Sequence, residues 1–147
     1  MSMDAEQIYQ ALFELTAGLA WPGGGALAYA SRRVKTFEDL PAQPALCQAE
    51  TEETVTQVTS LQSIITLGAS WLVYHQAGKD DDAIPAQTTN AILTAIKALF
   101  VDPTDSDFAQ TLGGAVHKCW IDGRIQKFQG DLDGQTLLVV PIKILVP

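Results

Sequence analysis

His75, His117, Cys47 and Cys119 are the side chains here best suited to nucleophilic, acid–base or metal chemistry. Catalysis needs such a group beside a base and a third residue that orients it. Both histidines fall in stretches that read as strands, the setting of ordinary strand residues, and no nucleophile–base spacing accompanies either. His117 and Cys119 would share a strand face, two residues apart, but two ligands do not close a zinc sphere. The cysteines form no CxxC pair, so neither a zinc site nor a disulfide framework is suggested, and a reduced, cytosolic chain is the natural reading. Asp80, Asp81 and Asp82 could meet a divalent cation, yet they lack the alternating ligands, turn glycine and distal Glu of a calcium loop. A solvated loop accounts for them.

The glycine clusters Gly23–Gly25 and Gly113-Gly114 fit neither GxGxxG nor GxxxxGK[ST], which leaves turns and close packing as their roles. Arg32 and Arg33 form the adjacent basic pair of an acidic chain. They read as partners for carboxylates of a neighbouring copy, with Asp80, Asp81 and Asp82 as the candidate counter-surface, or as solvated charges. No catalytic, cofactor or metal site is expected, and the spare inventory points away from an enzyme. A small enzyme or ligand-binding domain using His75 or His117 stands as the contrary hypothesis.

The elements that hold these residues follow from pattern. Ile8, Leu12, Leu15 and Leu19 recur at helical spacing, with Asp4 as a cap and a stop by Trp21 ahead of Pro22. Ala26–Lys35 reads as a strand. Pro41-Ala42-Gln43-Pro44 leads into Ala45–Glu50 and a Thr/Glu-rich segment, Thr51–Ser60, read as a strand running to an exposed tip. Leu61, Ile65, Leu67, Ala69, Trp71 and Val73 then take alternate positions and predict a return strand, completing a long hairpin. Gly78 and the acidic run break it. Pro85 opens a second helix with Thr89, Ile92, Ile96 and Leu99 on one face, and the acidic run would sit near the positive end of its dipole. Two strands close the chain, Ala115–Ile121 and Thr136–Val146, with Asp122-Gly123 and Asp133-Gly134 as turns or bulges, and Pro141 predicts an edge position or a bulge in the last.

The expectation is α+β: one domain over residues 1–147, a mainly antiparallel sheet of about four strands, and two helices packed on one face. At 147 residues, 47% hydrophobic and 18% charged, the chain can support one core. Seventeen acidic against nine basic residues, net −8, argue against sequence-specific DNA binding. No apolar run approaches the ~18 residues of a spanning helix, and the acidic start does not look like a signal peptide, so no membrane association is expected.

With these elements placed, the chain from Ile8 to Pro147 resembles the tail-terminator, or tail-completion, family of long-tailed double-stranded DNA bacteriophages. The resemblance lies in Ile8-Tyr9-Gln10-Ala11-Leu12-Phe13, Ser31-Arg32-Arg33, Gln43-Pro44-Ala45-Leu46, Leu112-Gly113-Gly114, Ile121-Asp122-Gly123 and, most specifically, the ending Val140-Pro141-Ile142-Lys143-Ile144-Leu145-Val146-Pro147. It implies a small α+β structural subunit without cofactor. It further implies a homohexameric ring at the head-proximal end of the tail, assembled in the host cytoplasm, that stops tube growth and joins the head. Its partners would be the major tail tube protein and a head-completion or connector protein. Genomic DNA would pass through the lumen without sequence-specific binding, past a neutral or acidic wall. A tail-tube or head–tail connector subunit is the alternative within the same assembly class.

Overall fold

A computed structural model of the chain describes residues 4–21, 27–76, 85–129 and 135–147. Asp4 caps the first helix, α1 (Ala5–Glu14): its carboxylate accepts from the Gln7 amide at 2.8 Å while its own amide donates to Gln7 Oε1 at 3.0 Å. This reciprocal arrangement satisfies two backbone donors at the helix start. Ile8, Tyr9 and Leu12 form the buried face, and the helix tightens through one last short turn, Leu15–Gly18, before the described segment ends at Trp21.

The chain then supplies β1 (Tyr29–Ser31), β2 (Ala45–Gln57), β3 (Ser63–Gln76), a second helix α2 (Pro85–Leu99), β4 (Lys118–Ile121), β5 (Gln126–Gln129) and β6 (Gln135–Leu145). They build one six-stranded sheet, ordered β1-β2-β3-β6-β4 with β5 also on β6, and antiparallel everywhere except β1 against β2. The sheet thus has six strands where the patterns predict about four. β5 was missed because all four of its residues are exposed, so no face alternates in hydrophobicity. The segment read as a strand over Ala26–Lys35 contributes only Tyr29–Ser31.

Leu67, Ala69, Trp71 and Val73 of β3 and Leu138, Val140, Ile142 and Ile144 of β6 line one face, joined there by Ile8 and Leu12 of α1 and Ile92 and Ile96 of α2. Both helices therefore share a face of the sheet, as the periodicities require. The opposite face carries a smaller cluster of Ala45, Cys47 and Tyr74, covered by Phe37 and Leu40; the Phe37 ring meets Tyr74 edge-on at 4.7 Å.

Pro141 lies in an interior strand, not at an edge. Its carbonyl accepts from Asp122 N at 3.2 Å, so its nitrogen, on the same side of the strand, faces the handover from β5, which pairs Thr136–Val139, to β4, which pairs Ile142–Leu145. No ladder donor is needed at that point, which is how a central strand accommodates proline. Gly123 (φ +121°) lies against it, where an added Cβ would come within 3.3 Å of Pro141 Cγ. Those contacts account physically for the glycine of Ile121-Asp122-Gly123 and the proline of the terminal segment.

The β2–β3 hairpin is the longest feature of the sheet and changes character midway. Its register shifts between Glu50 and Glu53, marking a bulge opposite Gly68, whose carbonyl accepts from the buried Tyr9 hydroxyl at 2.9 Å. A bulge bends and twists the strand that carries it. Before it, Ala45, Leu46, Cys47 and Gln48 are buried; beyond it, residues 50–64 are all exposed. The distal half is an arm that leaves the core. A side chain at Gly68 would place Cβ 2.5 Å from Thr51 Oγ1 and 3.0 Å from Glu52 Cγ, inside the bulge. Gly68→Val is expected to cost about 1–3 kcal/mol by overpacking, read as a lower urea midpoint; an unchanged midpoint would show that the bulge is free to give way.

Candidate functional site

The residues singled out for chemistry do not converge. His75 is buried, with Nε2 hydrogen-bonded to Thr89 Oγ1 at 2.9 Å and the Trp21 ring edge-on at 6.4 Å, while its Nδ1 has no partner. It joins β3 to α2 in the core. His117 is exposed and precedes β4, whereas Cys119 is fully buried, so the shared strand face expected of this pair does not form a joint site. Among the described residues no three His, Cys, Asp or Glu side chains gather as metal ligands would.

Burial lowers the His75 pKa below its ordinary value, so the folded chain favours the neutral ring. The unfolded chain takes up that proton at about pH 6.5, so the stability tied to His75 is complete above that pH and is lost as the pH falls toward the lower folded value. Urea midpoints are expected to fall between about pH 7.5 and pH 5.5, and to fall less in His75→Gln. Equal slopes for the two chains would assign the loss elsewhere.

Cys47 and Cys119 are free and wholly buried, and burial pushes the Cys119 thiol up to about 12. Neither has thiolate character at neutral pH or a path to a reagent. A thiol reagent should label no cysteine rapidly in the folded chain and both in denaturant; fast labelling of either would contradict the packing described.

Arg32 is committed within its own chain. Its guanidinium binds the Glu6 carboxylate through both terminal nitrogens, at 2.6 and 2.7 Å, and reaches Glu50 at 3.3 Å, tying α1 to the sheet beside the bulge. That contact holds the Glu6 carboxyl below its usual range. Arg33 is exposed, and its amide donates to Ser31 Oγ at 2.9 Å. Asp80, Asp81 and Asp82 lie outside the described residues, as do Pro22 to Ala26 and Asp133-Gly134. Of the two arginines, Arg33 is the one left for a neighbour. Reversing both would oppose like charges at Glu6 inside one subunit, so the informative variant is Arg33→Glu alone.

What the structure does concentrate is unsatisfied surface. Val55 and Val58 are 59% exposed, Ile64 48% and Leu61 95%, all on the arm. A second cluster holds Val101 and Phe108, 53% and 61% exposed, at the end of α2 and in the loop leading to β4. With β4 they border a groove of about 450 Å³ that is also lined by Lys97, Phe100, Asp107, Lys118, Trp120 and Ile121, and Lys118 Nζ lies 5.5 Å from the Trp120 ring centroid. Scattered apolar residues are normal on a surface; on the arm the register sets Val55 beside Ile65 on one face and Ile64 beside Thr56 on the other, so its exposed aliphatic side chains occupy both faces of the ribbon. Sequence reasoning placed the arm's tip but not this groove, because its apolar residues come from separate segments with no common period.

No protein-family model matches the sequence, and no curated protein matches it either. Among solved structures, the fold is similar to a chain of the virion of the native gene transfer agent particle, with TM-score 0.48 and 11% identity over 95% of this chain and 90% of that one. At that level of likeness the role of that chain stays its own.

Proposed function

We propose that this protein is a structural subunit and not an enzyme: a virion protein that forms a closed ring of identical copies at the head-proximal end of a phage tail. The observation that carries the assembly reading is the β2–β3 arm. Residues 50–64 are exposed, they include four large aliphatic side chains, and β1 covers the outer edge of β2 only along Ala45–Cys47. An exposed two-stranded ribbon with an open edge and apolar residues on it is a template for association. Oligomerisation is the usual use of such a surface in a natural chain.

The tail-terminator part of the reading rests on the residues of the sequence resemblance, from Ile8 through the closing Val140–Pro147 segment. In this role the ring binds the growing end of the tube with one face and offers no tube-like face on the other, so growth stops. Six copies, with the major tail tube protein and a head-completion or connector protein as partners, follow from the same resemblance. Deleting the gene from the parent phage should leave DNA-filled heads without tails, and tubes of uncontrolled length. Normal-length tails joined to heads in micrographs of the deletion would reject the assignment. A repeated head-to-tail contact closes into a ring or continues as an open helix according to its rotation. A tail-tube subunit is therefore the competing reading, and it would polymerise without limit.

A further inference from the structure

We propose that the core binds one internal water molecule, held between His75 of β3 and Thr136 of β6.

Among the described residues, three buried side-chain polar atoms lack a hydrogen-bond partner: Gln43 Oε1, His75 Nδ1 and Thr136 Oγ1. Two of the three fall at one place. His75 and Thr136 are register partners across the β3–β6 ladder, and side chains opposed in this way leave the sheet on the same face with Cβ atoms about 4.5–5.5 Å apart. The face is the one that carries the helices, since the two residues continue the alternating series of Val73 and Leu138. His75 is 2% exposed and Thr136 0%, so bulk solvent reaches neither.

A buried polar atom without a partner forfeits the bond it made to water in the unfolded chain, and native cores rarely leave one in that condition. The two atoms do not bond to each other. Nor is the ring free to turn toward Thr136, because Nε2 is held by Thr89 Oγ1 of α2 at 2.9 Å and the Trp21 ring stands edge-on beside it. One molecule lying between Nδ1 and Oγ1 satisfies both.

The chemistry of the two groups selects water as that molecule. Nδ1 presents a lone pair in one tautomer and a proton in the other, while the threonine hydroxyl both donates and accepts. The occupant must therefore be able to donate and accept too. An anion would need a positive charge, but burial lowers the His75 pKa with no charged side chain among the described residues acting on it, so the ring is neutral. A metal would need further ligands, and among the described residues no three His, Cys, Asp or Glu gather. Water bonded to both atoms at about 2.8 Å spans roughly 5 Å, which suits opposed short side chains. Two polar partners are enough to hold a buried water. The bridge extends the Thr89–His75 bond to β6, giving a continuous polar link from α2 across two strands. It stands independently of the ring reading.

Thr136→Val tests the bridge, because it exchanges the hydroxyl for a methyl of the same shape. With the water bound, the exchange removes one of its two anchors and strands Nδ1, so the urea midpoint should fall. Without a water it only removes an orphaned hydroxyl from a strand, and the midpoint should rise. In a His75→Phe background, whose ring has no nitrogen to offer, the exchange should not lower the midpoint. A high-resolution crystal structure of the unaltered chain gives the direct reading whether or not the variants fold: a solvent peak about 2.8 Å from both atoms is expected. A midpoint that holds or rises in Thr136→Val, an equal fall in both backgrounds, or a crystal structure with no solvent peak between the two atoms would overturn the proposal.

Discussion

Replacing Trp71 with alanine is expected to remove about 3–5 kcal/mol of stability, the range for emptying a buried aromatic site. Trp71 is fully buried, and its ring lies 5.4 Å from that of Phe100. Its Nε1 donates to Gln48 Oε1 at 2.9 Å, and Gln48 Nε2 donates in turn to Tyr9 O at 3.0 Å. One side chain thus links β3, β2, α1 and the end of α2. Truncation leaves a cavity and strands the Gln48 carbonyl oxygen in the core, and the second effect adds to the first. Domains of this kind hold only about 5–15 kcal/mol in all, so the variant should stand near the edge of folding at 37 °C. Gln48→Met keeps the volume and removes only the bonds, for an expected loss of about 1–3 kcal/mol. Urea unfolding followed by circular dichroism measures both. A loss below about 1 kcal/mol for Trp71→Ala would mean that the core does not depend on this junction.

The largest expected effect on function comes from removing the arm. Joining Thr54 to Thr66, a cross-strand pair beyond the bulge, through an Asn-Gly turn keeps every buried residue of the sheet. The deleted residues are mostly exposed, so the shortened chain should unfold within a few degrees of the parent, at most about 1 kcal/mol apart. Its self-association should be abolished, as monomeric mass in solution at concentrations where the parent assembles. If the shortened chain still forms rings, the arm is not the contact that builds them. Arg33→Glu should have a smaller effect, since an exposed ion pair is worth no more than about 1 kcal/mol and is screened by salt.

The helices were legible in the sequence because one side of each is in the core. Thr89, Ile92 and Ile96 are fully buried, and Asp4 caps where the first apolar stripe begins. The alternation in β3 and β6 was equally plain, since each has one buried face against both helices. Leu61 fitted the alternating series by count but belongs to the turn, where no core faces it; periodicity says which positions share a side and not where the core ends. The bulge at Glu50–Glu53 was invisible for a related reason, as hydrophilic Thr and Glu residues carry no register signal. Pro141 misled because proline's restriction applies to a missing ladder partner, and β6 meets that condition at an interior break. The groove depends on Phe108, whose left-handed backbone is set by Asp102 and Asp105 and has no sequence signature of its own. Among the candidate site residues, Arg32 binds within its own chain because Glu6, in the first turn of α1, lies within reach only once α1 packs beside β2.

Negative-stain electron microscopy of the purified full-length protein tests the central claim most directly. The account predicts closed rings of uniform diameter with an open centre and no growth beyond one layer. Open-ended tubes would replace the tail-terminator reading with a tube subunit, and featureless monomers at every salt concentration and in the presence of tail tubes would contradict the account altogether.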